Sequence, residues 1–190
     1  MMDGIVASLT HDLSIDPALL TQPATISAIY NHYFARIYTY VRYRVPDAAT
    51  ADDLTAQIFE RMVSRVATYN PQRGAFVVWL WAIARNSVTD HLRAGQRHRW
   101  FSLDGVRELL SPTPLPEDTV IQAELHHALL LAVGRLADRE RDLIALKFVG
   151  HLTNRRIAEM TGLSESNVAV ILHRTLKRLR SELAPEETNE

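Results

Sequence analysis

Two stretches of this 190-residue chain carry side chains whose types and spacing suit chemistry with nucleic acid. The first is Trp79-Leu80-Trp81-Ala82-Ile83-Ala84-Arg85-Asn86, continuing through Asp90 to Arg93, Arg97 and Arg99. Rings stack on bases, amides and guanidinium groups hydrogen-bond base edges, and cations hold phosphates, which is the equipment of a single-strand reader. Asp90 is the one acid among four arginines between Arg85 and Arg99 and is expected to pair with Arg93 or Arg97. Trp79 and Trp81 cannot both face the centre of one core from a helix. One is expected inside and the other nearer the surface.

The second stretch is Asn154 to Arg174. Gly162 stands four residues after Ala158, and Val168 stands six after Gly162. This fits a helix-turn-helix, which needs a small residue where its helices cross, a glycine able to take positive φ in the turn and an apolar anchor in the second helix. Leu163, Val168 and Leu172 supply the core. Glu165, Ser166, Ala169, Val170, His173, Arg174, Lys177 and Arg178 are left outside it. From His151 to Leu183 six cations stand against three carboxylates, net +3, a balance suited to phosphates. A plain helical hairpin with a solvated basic face would share this spacing.

Catalysis finds no comparable support. Asp90 and His91 are neighbours on a helix, so they point about 100° apart and do not converge. His126 and His127 have the same problem, and His98 is isolated. No glycine-rich phosphate loop, nucleophile elbow or metal-ligand spacing occurs. The chain has no cysteine, which removes disulfides, thiolate zinc sites and cysteine nucleophiles. The expectation is a protein without catalytic residues, metal or cofactor.

The elements that must position these residues are read from apolar periodicity. Ile26, Ile29, Tyr30, Tyr33, Phe34, Ile37, Tyr38 and Val41 repeat at helical spacing, and Pro46 stops or follows that helix. Thr50 and Asp53 suggest a capping box for a second helix, with Leu54, Ile58, Met62 and Val66 inside. Asn70-Pro71-Gln72-Arg73-Gly74 reads as a turn. A third helix follows from Phe76 to about Ala94, burying Phe76, Leu80, Ile83, Ala84, Val88 and Leu92. Gly95 to Pro116 breaks the pattern. Ser111-Pro112-Thr113-Pro114-Leu115-Pro116 is stiff and extended, and Asp104, Glu108, Glu117 and Asp118 outweigh Arg107 around it. Four more helices are expected: Thr119–Leu136, one capped by Asp138 and ended by Gly150, one capped by Thr153 and running to Met160, and one capped by Ser164 and running to about Leu183. The class is all-α, with two small helical domains joined by a Pro-rich acidic linker. The boundaries are 1–25 for an N-terminal extension, 26–97, a linker at 98–118, 119–183, and a tail at 184–190.

Charge looks unpromising for a nucleic-acid binder, since 21 basic and 22 acidic residues give a net −1. The average hides segregation. Arg85–Arg99 is net +3, as is the helix-turn-helix, and the acids gather near Asp52, in the linker and in the tail. No segment approaches the roughly 18 apolar residues that span a bilayer. Met1–Ser8 lacks the basic start of a signal peptide. Both point to a cytoplasmic protein without membrane insertion.

The two stretches, in this order and with this spacer, resemble the extracytoplasmic-function sigma factors of the sigma-70 family. Three motifs carry the resemblance across about Ile26–Leu183. Ala51-Asp52-Asp53-Leu54-Thr55-Ala56-Gln57-Ile58-Phe59 is similar to region 2.2. Phe76, Trp79-Leu80, Ile83-Ala84-Arg85-Asn86, Asp90 and Leu92-Arg93 are similar to regions 2.3 and 2.4. Leu136 to Arg180 is similar to region 4. The resemblance implies an initiation factor that binds core RNA polymerase and directs it to promoters. Asp52, Asp53, Gln57 and Glu60 would then face the clamp helices of the largest subunit. Arg73, Gly74, Ala75, Phe76, Trp81, Arg85, Asn86, Arg93 and Arg97 would melt and hold the −10 element as a single strand, with one base flipped out of the stack.

Under the same resemblance Arg155, Arg156, Ser164, Ser166, Asn167, Ala169, Val170, His173, Arg174, Lys177 and Arg178 would read the −35 element as duplex. Region 4 would also meet the flap of the second large subunit, and an anti-sigma factor is an expected antagonist. The pattern departs at Ala169-Val170-Ile171, where the family usually carries a polar run, and at Asn154-Arg155-Arg156. A stand-alone helix-turn-helix regulator, with residues 26–95 as a sensor or dimerisation domain, is the competing reading. It would not need the Asp52–Phe59 motif.

Overall fold

The computed structural model describes residues 17–45, 47–98, 128–129 and 131–183. The expected linker, the start of the helix expected over Thr119–Leu136, the tail and the Arg97 side chain lie outside the described residues. Helices α1 (Pro23–Arg42), α2 (Ala48–Arg65) and α3 (Phe76–His98) belong to one compact unit, Met1–Leu103. Helices α4 (Asp138–Phe148), α5 (Asn154–Thr161) and α6 (Glu165–Leu183) belong to a second, Asp104–Glu190. No strand occurs among the described residues.

In the first unit the apolar stripes of three helices meet. Ile29, Tyr33, Ile37 and Tyr40 of α1, Leu54, Ile58 and Met62 of α2, and Leu80, Trp81, Ala84 and Val88 of α3 are buried. The expected boundary at residue 26 falls inside α1. Pro23 supplies the preset φ of a first helical turn, and Leu20 and Thr25 are fully buried with the bundle. The stripe expected of α2 ends one turn early, because Val66 leaves the helix in a 3-10 turn, Val66–Thr68.

The capping box expected at Thr50 and Asp53 is not formed. Asp47 is the N-cap: its carboxylate accepts from the Thr50 N–H at 2.7 Å and from the Thr50 hydroxyl at 2.7 Å. Thr50 is therefore a donor to the cap, and Asp53 is left exposed. The Thr50 N–H, with the Thr50 hydroxyl behind it, holds the Asp47 carboxyl below its ordinary pKa. A depressed native pKa gives stability that is present above the unfolded-state value, near ~3.9, and lost as pH falls through the native one. Asp47→Ala is expected to cost about 1 kcal/mol in urea melts at pH 7. That gap should narrow as the buffer is acidified through the lowered Asp47 pKa.

The second unit is organised by α6. Val168, Leu172, Thr175 and Leu179 are buried against Leu143 and Leu146 of α4, Ile157 of α5 and Leu152 between them. The cap of α4 differs from expectation. Ala137 is the N-cap and Asp138 the first helical residue, while the Glu140 carboxylate turns back to accept the Ala137 N–H at 3.1 Å. The same carboxylate meets Arg178 at 2.8 Å, tying α6 to α4.

Candidate nucleic-acid interface

The helix-turn-helix forms by local rules. Thr153 caps α5 by accepting from the Arg156 N–H at 3.3 Å. Gly162 closes it at φ +72°, a left-handed conformation that other residues adopt only under strain. Ser164 then caps α6, its hydroxyl accepting from the Asn167 N–H at 3.2 Å. Beyond this cap Glu165, Ser166, Asn167, Ala169, Val170, His173, Arg174 and Lys177 are exposed. Two of the expected phosphate contacts are already engaged. Arg155 pairs with Glu159 at 3.3 Å, and Arg178 bridges Glu140 and, at 3.8 Å, Glu182.

In the first unit the turn before α3 is built as a rigid loop. The Asn70 side chain accepts from the Gln72 N–H at 2.9 Å, and Pro71–Arg73 make one 3-10 turn. Gly74 follows at φ +147°, a region that disfavours any side chain. The Tyr69 hydroxyl donates to the Gly74 carbonyl at 3.3 Å. Tyr69, Phe76 and Trp79 cluster beneath the loop, with centroids 5.5–5.6 Å apart. Arg73 and Gly74 stand exposed at its tip and Ala75 is half-buried.

Two of the residues expected at this interface are withdrawn from it. Trp81 is fully buried, its ring edge-on to Tyr40 at 5.4 Å with the Arg36 guanidinium 5.9 Å from it. A base cannot reach that ring. Phe76, 1% exposed, anchors the loop from below and does not face solvent. Trp79 is the half-exposed tryptophan. Both tryptophans meet aromatic rings, Trp81 at Tyr40 and Trp79 at Tyr69 and Phe76, but Trp81 alone of the two is closed off from solvent.

A groove opens beside Trp79, between the end of α2 and the middle of α3. Arg61, Arg65 and Thr68 line one wall, and Trp79, Ile83, Asn86, Ser87 and Asp90 the other. Arg61 is fixed there by donating to the Ser87 hydroxyl at 2.9 Å, which in turn donates to the Ile83 carbonyl at 2.9 Å. Trp79, Asn86, Asp90 and Arg93 follow one another at helical spacing along α3. The groove thus offers a ring for stacking, an amide and a carboxylate for base edges, and guanidinium groups for phosphates. Sequence reasoning does not single out Arg61 and Arg65 of α2 or Thr68 of the 3-10 turn after it, because they lie 18–25 positions before Asn86. Trp79, in place of the expected Trp81, is the tryptophan that lines the groove.

On α2 the side chains of Asp52, Asp53, Gln57 and Glu60 are all exposed. Val63 continues this face at 42% exposure, and Tyr30 and Phe34 of α1 stand beside it at 43% and 36%. Tyr30 packs on Phe59 at 4.8 Å and on Phe34 at 5.0 Å. This aromatic border also escaped the sequence reading, because on α1 it repeats at the same helical period as the core stripe. No group of three or more residues placed to hold a metal ion occurs among the described residues. No helix among them is long and apolar enough to cross a membrane.

Comparison with known proteins follows these two units. Sigma-70 region 2 matches residues 29–98, and Sigma-70 region 4 matches residues 126–179. The chain is 31% identical over 159 residues to the ECF RNA polymerase sigma factor BldN of Streptomyces coelicolor, a match covering 84% of this chain and 60% of BldN. It is 28% identical over 164 residues to SigX of Bacillus subtilis, covering 84% of each. With SigM of Bacillus subtilis it is 24% identical over 157 residues, covering 83% of this chain and 94% of SigM. Among solved structures, the sigma factor RpoE of Bartonella quintana in complex with the anti-sigma factor NepR shares the fold with a TM-score of 0.68 at 17% identity, covering 84% of this chain and 97% of that one. CnrH in complex with the cytosolic domain of CnrY does so with a TM-score of 0.64 at 17% identity, over 88% and 94%. With both regions present in order in one helical chain, the protein belongs to the extracytoplasmic-function sigma factors of the sigma-70 family, the initiation factors that direct RNA polymerase to promoters.

Proposed function

We propose that the chain works in the cytoplasm as the promoter-specificity subunit of RNA polymerase and has no chemistry of its own. Residues 26–97 act as region 2. The exposed face of α2, from Asp52 to Glu60, docks on the clamp helices of the largest subunit. The loop at Arg73–Ala75 and the groove along Trp79, Asn86 and Asp90 hold the melted −10 strand, with Arg93 on its phosphates. Residues 119–183 act as region 4, α6 lying in the major groove of the −35 duplex while Arg156 and the start of α5 approach its backbone. The same unit meets the flap of the second large subunit.

One observation carries this reading: a stacking and hydrogen-bonding groove in one unit is paired with a helix-turn-helix in another. A stand-alone regulator needs only the second. A protein antagonist that covers the α2 face or α6 is the fitting form of control, in line with the solved neighbours bound to NepR and CnrY. Core polymerase pull-down with run-off transcription tests the assignment. The expected result is retention on core enzyme and initiation from a cognate promoter. Duplex binding without polymerase retention would make the chain a self-sufficient regulator.

Within region 2 the roles separate. Asn86→Ala and Arg93→Ala are each expected to lower open-complex formation, read by permanganate footprinting, by about tenfold. Polymerase retention should change by less than about twofold, since neither side chain lies on α2. Equal loss of both would remove these residues from the −10 interface.

A further inference from the structure

We propose that Val170 reads the methyl group of a thymine in the −35 duplex, so that this factor selects its −35 element through an apolar contact in the N-terminal half of its recognition helix. The inference rests on the reading of the second unit as a duplex binder. It begins from the geometry of α6. Val168, Leu172, Thr175 and Leu179 are buried. At about 100° per residue, the side opposite them carries Ser166, Val170, His173 and Lys177, and all four are exposed. Val170 keeps 45% of its surface in water at the middle of that stripe.

The fold gives no reason for a valine there. Val170 packs against no core, and a β-branched residue is a poorer helix former than the alanine beside it. Its surroundings do not make an apolar docking patch either. Ser166, Asn167, His173 and Arg174, all exposed and one turn before or after it, ring it with hydroxyl, amide, imidazole and guanidinium groups. A single stiff apolar knob inside a polar, basic rim matches the floor of a major groove, where the thymine C5 methyl is the one apolar group and phosphates line both edges. Val170 is the sixth residue of α6, within the N-terminal half that enters the groove in this motif. Its restricted χ1 presents two methyl groups with little ordering cost on contact. Ala169, a quarter turn away and exposed, adds a methyl without bulk and lets the helix approach closely. Valine offers no hydrogen bond, so discrimination there depends on the methyl group alone.

The test uses the full chain bound to core polymerase and a promoter duplex library randomised across the −35 element. Selected duplexes are expected to carry thymine at one fixed position facing Val170. Replacing that thymidine by deoxyuridine, which removes only the methyl, should weaken holoenzyme binding by about fourfold. Val170→Ala, which sets its one methyl back from the groove floor, should shrink that preference to less than about twofold, with the helical circular dichroism unchanged. Binding of the wild-type holoenzyme that is indifferent to every deoxyuridine replacement overturns the proposal while leaving the duplex-reading assignment intact. So does methyl sensitivity that survives undiminished in Val170→Ala. If Val170→Ala weakens retention on core polymerase without DNA, the valine belongs to a protein contact and the proposal falls. If no −35 sequence is enriched at all, the duplex-reading assignment falls and the proposal with it.

Discussion

Trp81→Ala is expected to destabilise the first unit by about 3–5 kcal/mol, the largest stability effect of any single substitution considered. The ring is fully buried in the core of the first unit, edge-on to Tyr40, and a packed core relaxes only partly around the cavity its removal leaves. For a unit of this size, net stability is only about 5–10 kcal/mol, and each kcal/mol shifts the melting midpoint by roughly 4–8 °C. A drop of more than about 10 °C in the first unit's transition is the expected reading. Trp81→Phe should lose far less. It keeps an aromatic ring against Tyr40 and deletes an indole N–H that is buried without an acceptor among the described residues, a group whose burial carries a desolvation penalty of about 1–3 kcal/mol. Trp79→Ala gives the contrast: a modest loss of stability from a half-exposed ring, and impaired promoter opening. If Trp81→Ala melted like the parent and failed only in opening, Trp81 would return to the interface and Trp79 would leave it.

That pair also marks where sequence reading reaches its limit. The helix-turn-helix was legible because its determinants are local. Thr153 and Ser164 cap donors three residues ahead, and Gly162 answers a backbone angle that few other residues tolerate. Helix α3 was legible as a helix but not as a surface. From Phe76 to Ala84 every residue is apolar, so periodicity admits more than one inward register, and the inward one is seen only in contacts with distant residues such as Tyr40, some forty positions earlier. At the start of α2 the structure pairs Asp47 with Thr50 in place of the expected Thr50 with Asp53. That pair forms because an aspartate at the N-cap accepts both the N–H and the hydroxyl of Thr50. The groove beside Asn86 needed the contact of Arg61 with Ser87, 26 positions apart, and the Arg178–Glu140 pair spans 38. Such pairings are set by helix packing and leave no trace in local composition. They are why exposure along α2 is readable from local periodicity while the far wall of the groove beside Asn86 is not.

Reversing charge on that face is the functional change with the largest expected effect. Asp53→Lys combined with Glu60→Lys should weaken retention on core polymerase by at least about tenfold, because like charges brought together across an interface cost several kcal/mol. The fold should not notice. Both side chains are exposed, both lie beyond the first turn of α2, and Asp47 alone serves as its cap, so the melt is expected to stay within about 0.5 kcal/mol of the parent. Salt separates the two parts of the surface. An interaction steered by exposed carboxylates fades as ionic strength rises and the Debye length shortens, whereas one anchored on Tyr30, Phe34 and Val63 persists. The parent should therefore lose affinity steeply between low and physiological salt, and the double variant should show a shallower slope from a weaker start. A solvated helix face with no partner predicts neither result. Loss of retention with an unchanged melt and a flattened salt dependence can come only from charges that meet opposite charges on another molecule, and unchanged retention would move the polymerase contact off α2 altogether.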